Sequence, residues 1–165
     1  SNIEESDKLR MAESRIPYPG LIRLINLPMR LSDLFTEKSE KPVEPAICLS
    51  CANMVDLQTF NYNDKFGSCN MHIRWECIDA GRGIFFLPVS NCVLILDNGK
   101  GSFIQSPYMD DYGESDEDGK KGHELHLIKD KYEDLQMRIW MKHNIQNVIA
   151  KKFESLSDVG GWETL

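Results

Sequence analysis

The chain lacks the short signatures that mark a nucleotide or hydrolase site: it has no Gly-rich phosphate loop, no GxGxxG, no GxSxG and no HExxH. Gly81-Arg82-Gly83 comes nearest and reads as a turn that precedes a strand, whereas a phosphate loop would open a helix. No apolar run approaches the roughly 20 residues needed to span a bilayer, so no membrane partner is expected. A basic patch is missing too, the densest runs being Lys120-Lys121 and Lys151-Lys152. With 26 acidic against 19 basic side chains and a net charge of −7, the chain repels phosphate, which excludes nucleic acid as a main partner. The opening Ser1-Asn2-Ile3-Glu4-Glu5 has neither the charged region nor the apolar core of a secretory signal, and no initiating Met. The expectation is an excised segment of a longer cytosolic or nuclear protein with its cysteines reduced. What is present is 165 residues at 41% apolar and 27% charged, enough for one domain with a real core and too ordered in composition for a disordered tail.

Residues 1–45 read as an N-terminal arm and linker, and residues 46–165 as the main domain. Within the arm, residues 1–15 are charged and weakly periodic, and Ile16-Pro17-Tyr18-Pro19-Gly20 is a breaker cluster. A short apolar run, Leu21 to Leu27, then leads to a helical turn capped by Ser32 or Asp33 through Leu34 and Phe35, and to a solvated linker at 37–45. In the main domain, Ile84-Phe85-Phe86-Leu87 and Val93-Leu94-Ile95-Leu96 predict a hairpin, and Asn98-Gly99 predicts a two-residue turn into Ser102-Phe103-Ile104-Gln105. Leu125 to Leu127 predicts a last short strand. Asp130 is placed as the cap of a helix with Tyr132, Leu135, Ile139 and Trp140 inward. Asn144 is placed as the cap of a second helix, whose face is Ile145, Val148, Ile149 and Phe153. The helices should close over one face of the sheet. Trp75 and Trp140 are expected in the core, and Trp162 either docks back on the body or sits in an interface.

Cys48-Leu49-Ser50-Cys51 is followed, seventeen residues on, by Cys69-Asn70-Met71-His72. Each two-residue gap lets the backbone turn so that both donors reach one ion, and the loop brings the second pair to the opposite side of a tetrahedron. Cys48, Cys51, Cys69 and His72 therefore form a candidate Cys₃His zinc-ribbon set, with one structural Zn²⁺ and no open position for catalysis. Cys77, five residues after His72, could replace Cys69 or His72 through a different turn. Cys92 sits in an apolar strand and reads as core. His123, His126 and His143 are scattered and read as satisfied or surface residues.

The segment 107–122 is an acidic loop without the alternating ligand pattern of a calcium loop. Its second half reads as a solvated charge run. Its first half, Pro107-Tyr108-Met109-Asp110-Asp111-Tyr112-Gly113-Glu114, is expected to be ordered and to face something: the domain's own helices, a partner surface or a basic peptide terminus. Tyr108, Asp110, Asp111, Tyr112 and Glu114 are the candidate docking surface.

Four stretches together carry a resemblance. They are Ala46-Ile47-Cys48-Leu49-Ser50-Cys51, Cys69 through His72, Gly83-Ile84-Phe85-Phe86-Leu87, and the run from Ser106 to Glu114, with Leu24-Ile25-Asn26-Leu27-Pro28 and Leu34-Phe35 as a lead-in. The chain resembles the extreme C-terminal domain of the N-recognins, the UBR-box RING-type E3 ubiquitin ligases of the N-degron pathway, most closely the fungal forms. The resemblance implies a piece of a ligase that binds destabilising N-terminal residues, recruits a ubiquitin-conjugating enzyme and directs ubiquitin-dependent degradation. It also implies that this region docks on the UBR box and RING region and is autoinhibitory, with Cys48, Cys51, Cys69 and His72 matching the family's zinc ligands. The segment holds neither the UBR box nor the RING, so no transferase activity of its own is expected. The expected fold is α+β: a zinc-ribbon-like knuckle leading into an antiparallel β-sheet, covered by C-terminal helices. A free-standing zinc-ribbon adaptor unrelated to ubiquitin is the rival reading.

Overall fold

A computed structural model describes residues 24–35, 44–77, 81–116, 120–140, 145–155 and 161–165. The expectations for residues 1–20, for Leu21 to Arg23, for most of the linker at 37–45, for His143 and Asn144, and for the Phe153 side chain lie outside the described residues.

Five strands build one antiparallel sheet in the order β2-β1-β5-β6-β7, with β1 at Pro45–Cys48, β2 at Met54–Asp56, β5 at Arg82–Leu87, β6 at Cys92–Asp97 and β7 at Lys100–Gln105. The meander β5-β6-β7 follows the turn chemistry. Asn98 and Gly99 both adopt positive φ, 48° and 86°, which suits a tight hairpin turn, and Asp97 pairs with Lys100 across it. Register pairs Ile84 with Ile95 and Phe86 with Val93. Alternation then divides the side chains between two faces. Ile47, Ile84, Phe86, Val93 and Ile95 enter one core cluster, while Ala46, Cys48, Phe85, Leu87, Leu94 and Leu96 enter another. Both faces are covered, so these strands read as unbroken apolar runs.

The first face is covered by helices, as the pattern predicts. Helix α2 at Lys129–Asp134 widens into a π turn at Leu135–Trp140, and α3 at Ile145–Ser155 packs on β6 and β7. Leu135, Trp140, Ile145 and Ile149 are buried there. Helix α2 starts after Ile128, which takes the capping position expected of Asp130; Asp130 lies within the first turn, where its charge favours the helix N-terminus. Leu24, Ile25 and Leu31 from the arm join the same cluster, Leu31 opening the 3₁₀ turn Leu31–Phe35.

The second face is covered by the knuckle: β3 at Phe60–Asn61 pairs with β4 at Phe66–Gly67, and α1 at Ser68–Met71 runs directly into a π turn at His72–Glu76. The tail turn Trp162–Thr164 packs beside it. A last hairpin joins β8 at Tyr108–Met109 to β9 at His126–Leu127, so the acidic segment is a hairpin loop.

Candidate metal centre

Cys48 closes β1, and the chain turns at once through Leu49 and Ser50 to Cys51. The turn is held by Ala52 N–H on the Cys48 carbonyl at 2.7 Å and Cys48 N–H on the Asn53 carbonyl at 2.9 Å, with Ala52 at φ 69°. From the other side, α1 delivers His72, and Cys77 N–H donates to the His72 carbonyl at 2.8 Å. That i→i+5 bond is the wide turn that swings Cys77 back over the imidazole.

Cys48, Cys51, His72 and Cys77 converge, with all four donor atoms within 4.8 Å of one another. Cys51 Sγ lies 3.2 Å from His72 Nε2, and Cys48 Sγ lies 3.9 Å from Cys77 Sγ. Around a tetrahedral ion with metal–sulfur bonds of about 2.3 Å, neighbouring sulfurs stand about 3.8 Å apart. The donor spacing therefore fits a metal ion, and all four positions come from the protein. His72 Nδ1 faces Glu76 Oε2 at 3.4 Å, the carboxylate partner that fixes ring orientation in metal-ligating histidines.

The electrostatics point the same way. Hydrogen bonding to Cys51, and then to Cys77, pushes the Cys48 thiol well above the ordinary range, with burial adding to it. Donation from Cys48 and then Cys77 holds Cys51 far below that range against the opposing effect of burial. At His72 burial works to lower the pKa, but hydrogen bonds to Cys51 and Cys77 outweigh it and raise the value to about 10. A metal ion bound here would take the sulfurs as thiolates and the imidazole neutral, releasing their protons.

Cys69, expected in the set, stands outside it, and Cys77 takes its place. Cys69 is fully buried in the apolar cluster, and burial pushes its thiol up to about 12, the behaviour of a small hydrophobe. The physical reason is the π turn: it runs five residues from His72 to Glu76 and returns the next, Cys77, to the cage. The spacing of Cys77 had suggested a replacement, but only the width of the turn decides which residue is replaced. Trp75, expected in the core, is 59% exposed because Arg74, Trp75 and Glu76 form the outer arc of that turn. It keeps an edge-on contact with Phe66 at 5.7 Å. Trp140 is fully buried, and Cys92 is half-buried against the second cluster.

The candidate docking surface divides. Tyr108 is fully buried, with its ring 5.3 Å from that of Phe86 and its hydroxyl donating to the Pro28 carbonyl at 2.6 Å. Asp110 is buried and accepts the backbone N–H groups of Tyr112 and Glu114 at 2.9 Å each, while its other oxygen meets His123 Nδ1 at 3.0 Å. These two residues build the hairpin and cannot face a partner. Asp111, Tyr112 and Glu114 are exposed on its outside, Glu114 pairing with Lys121 at 2.8 Å. His126 is half-buried beside Asp111 and Glu124.

Among known proteins, the pattern of the Proteolysis_6 C-terminal family matches residues 2–142. The chain is 33% identical over 162 residues to the E3 ubiquitin-protein ligase ubr1 of Schizosaccharomyces pombe, covering 92% of this chain and 8% of that protein. It is 31% identical over 158 residues to the E3 ubiquitin-protein ligase UBR2 of Saccharomyces cerevisiae, covering 90% and 8%. The UBR2 ligase of Homo sapiens is 31% identical over 183 residues, covering 99% and 10%. The chain therefore spans a tenth or less of the length of these curated relatives.

Proposed function

The chain belongs to the Proteolysis_6 C-terminal family, and from that premise we propose that it is the zinc-stapled regulatory and docking domain of an E3 ubiquitin ligase that recognises destabilising N-terminal residues. The observation that carries the reading is the closed donor set Cys48, Cys51, His72 and Cys77, placed in a domain that matches E3 ubiquitin ligases over most of its length. Thiolate and imidazole donors at tetrahedral spacing suit one Zn²⁺. Bound there, the ion supplies a cross-link between β1 and the α1 knuckle. A closed set leaves no position for water, so its role is structural.

In this reading the domain packs on the UBR box and RING region of the same polypeptide and restrains them. A ubiquitin-conjugating enzyme and N-degron substrates then engage the parent ligase elsewhere along its length, in the cytoplasm and the nucleus. Asp111, Tyr112 and Glu114 are the part of the acidic hairpin free to take part in docking. An acidic face beside a module that binds a cationic α-amino group either assists that binding or competes with it. The test is binding in trans: the purified 165-residue chain against the remainder of the parent ligase. The expected result is a complex whose formation slows substrate ubiquitination. Absence of binding, with ubiquitination unchanged when the domain is deleted from the parent, overturns the reading.

A further inference from the structure

The turn that carries two donors of the cage also grips a second, distant segment. Asn70 lies two residues before His72 and is fully buried. Its backbone N–H donates to the Leu165 main-chain oxygen at 3.0 Å, and its Nδ2 donates to that oxygen and to the Trp162 carbonyl at 2.9 Å each. The fit is close on both sides of the tail. A Cβ at Gly67 would overlap the Thr164 carbonyl, and a Cβ at Gly101 would overlap the Trp162 ring, which also meets the Phe103 ring in a tilted contact at 5.5 Å. Trp162 and Leu165, like Cys77, pack against the cluster that contains Cys48 and Cys51. The helix face that precedes the tail, Ile145 and Ile149, belongs to the opposite side of the sheet. The turn Gly161–Leu165 is therefore a strap fastened on the metal knuckle, on the sheet face opposite the one that α3 covers.

We propose that the cage and the strap Gly161–Leu165 are coupled: an ion held by His72 and Cys77 fixes α1, and so fastens the strap through Asn70, while the fastened strap holds α1 in the geometry that retains the ion. The inference rests on the metal reading above. α1 is only four residues long and cannot hold its own shape, so each of its two grips supplies order to the other. Coupling of binding free energies is reciprocal, so a change at the strap must appear at the cage as well.

The experiment uses the whole 165-residue chain and Zn²⁺ in competition with a chromogenic chelator, with metal content measured on the same samples. Trp162→Ala and Asn70→Ala, which leave every sulfur and the imidazole in place, are expected to weaken zinc binding by about five-fold or more, and non-additively when combined. Tyr112→Ser, exposed on the other hairpin, is the matched control and should leave it unchanged. Circular dichroism melts confirm that each variant stays folded. Conversely, stripping the metal should speed hydrogen exchange of the Thr164 and Leu165 amides while those of Leu94 and Ile95 in β6 stay protected. A parent chain that carries no metal as purified overturns the metal reading and this coupling with it. A parent that holds metal with an affinity indifferent to Trp162 and Asn70 overturns the coupling alone, as does tail exchange that is unchanged or no faster than that of β6.

Discussion

The sulfurs of Cys48 and Cys77, twenty-nine residues apart in the chain, stand 3.9 Å from one another within a donor set that does not include Cys69. Cys77→Ser should therefore remove the metal and Cys69→Ser should not. Elemental analysis of the purified variants reads this directly: about one zinc per chain for the parent and for Cys69→Ser, and well under half that for Cys77→Ser. Cys69→Ser still places a hydroxyl in an apolar cluster, at a cost of about 1–3 kcal/mol, so its melting temperature falls while its metal stays. Zinc retained by Cys77→Ser and lost by Cys69→Ser would return the set to two intact CxxC-type knuckles.

Chelation gives a second, independent reading. If the ion links β1 to the knuckle, removing it leaves crowded sulfurs whose order rests on hydrogen bonds alone. A strong chelator should lower the melting temperature of the parent chain and of Cys69→Ser, and should add little to the loss already suffered by Cys77→Ser. An identical melt with and without chelator in the parent chain would mean that the four residues pack together without an ion.

How much of this was legible depends on what each feature needed. The β5-β6-β7 meander follows from local chemistry, because Asn98-Gly99 selects its turn type and the apolar runs flank it at hairpin spacing. The helical face of Ile145, Val148 and Ile149 needed only its 3.6-residue period. Three of the four cage residues were visible as clustered donors. The fourth was not decidable, because Cys69 and Cys77 differ only in how His72 is followed, and the i→i+5 turn is a tertiary outcome that spacing does not report. Trp75 was misplaced for the same reason: a π turn reverses which residues face inward. Tyr108 and Asp110 look like a surface motif in one dimension, yet their partners, Pro28, Phe86 and His123, lie far away in sequence.

Trp140 and Trp75 should respond to truncation by very different amounts. Trp140 has no exposed surface and fills the helix-covered core, so Trp140→Ala should cost about 3–5 kcal/mol in urea unfolding, by lost burial and a residual cavity. Trp75 keeps most of its surface in water and touches Phe66 edge-on, so Trp75→Ala should cost no more than about 1 kcal/mol. Equal losses would mean that Trp75 is covered in solution.

Asp110 makes the acidic hairpin sensitive to acid. The His123 hydrogen bond, and then the Glu114 backbone N–H, hold its carboxyl below the usual range against the effect of burial, with Tyr112 N–H adding to the lowering. A folded-state pKa depressed below the unfolded value of about 3.9 means that the contribution is present above that pH and is lost as pH falls through the folded value. Asp110→Asn keeps the shape but leaves an amide where two N–H donors and an imidazole require an anion. The stability difference between parent and Asp110→Asn should shrink as pH falls below about pH 4. A difference that persists undiminished in acid would show that the carboxylate charge contributes nothing.

The exposed side of that hairpin separates docking from folding. Asp111 and Glu114 have side chains 85% and 61% exposed, and the Tyr112 ring stands in solvent, so Asp111→Asn with Glu114→Gln and Tyr112→Ser should leave the stability of the isolated chain within about 0.5 kcal/mol of the parent's. Under the proposed docking role, the same triple variant placed in the full-length ligase should change the affinity for a substrate with a free cationic N-terminus, or the degree of restraint, and the change should fade as salt is raised. Asp110 must be left intact in this experiment, because neutralising it would unpin the loop and mix the two effects. Unchanged affinity and unchanged ubiquitination kinetics at low salt would remove the hairpin from the docking surface, and would leave the remaining faces of the domain to carry it.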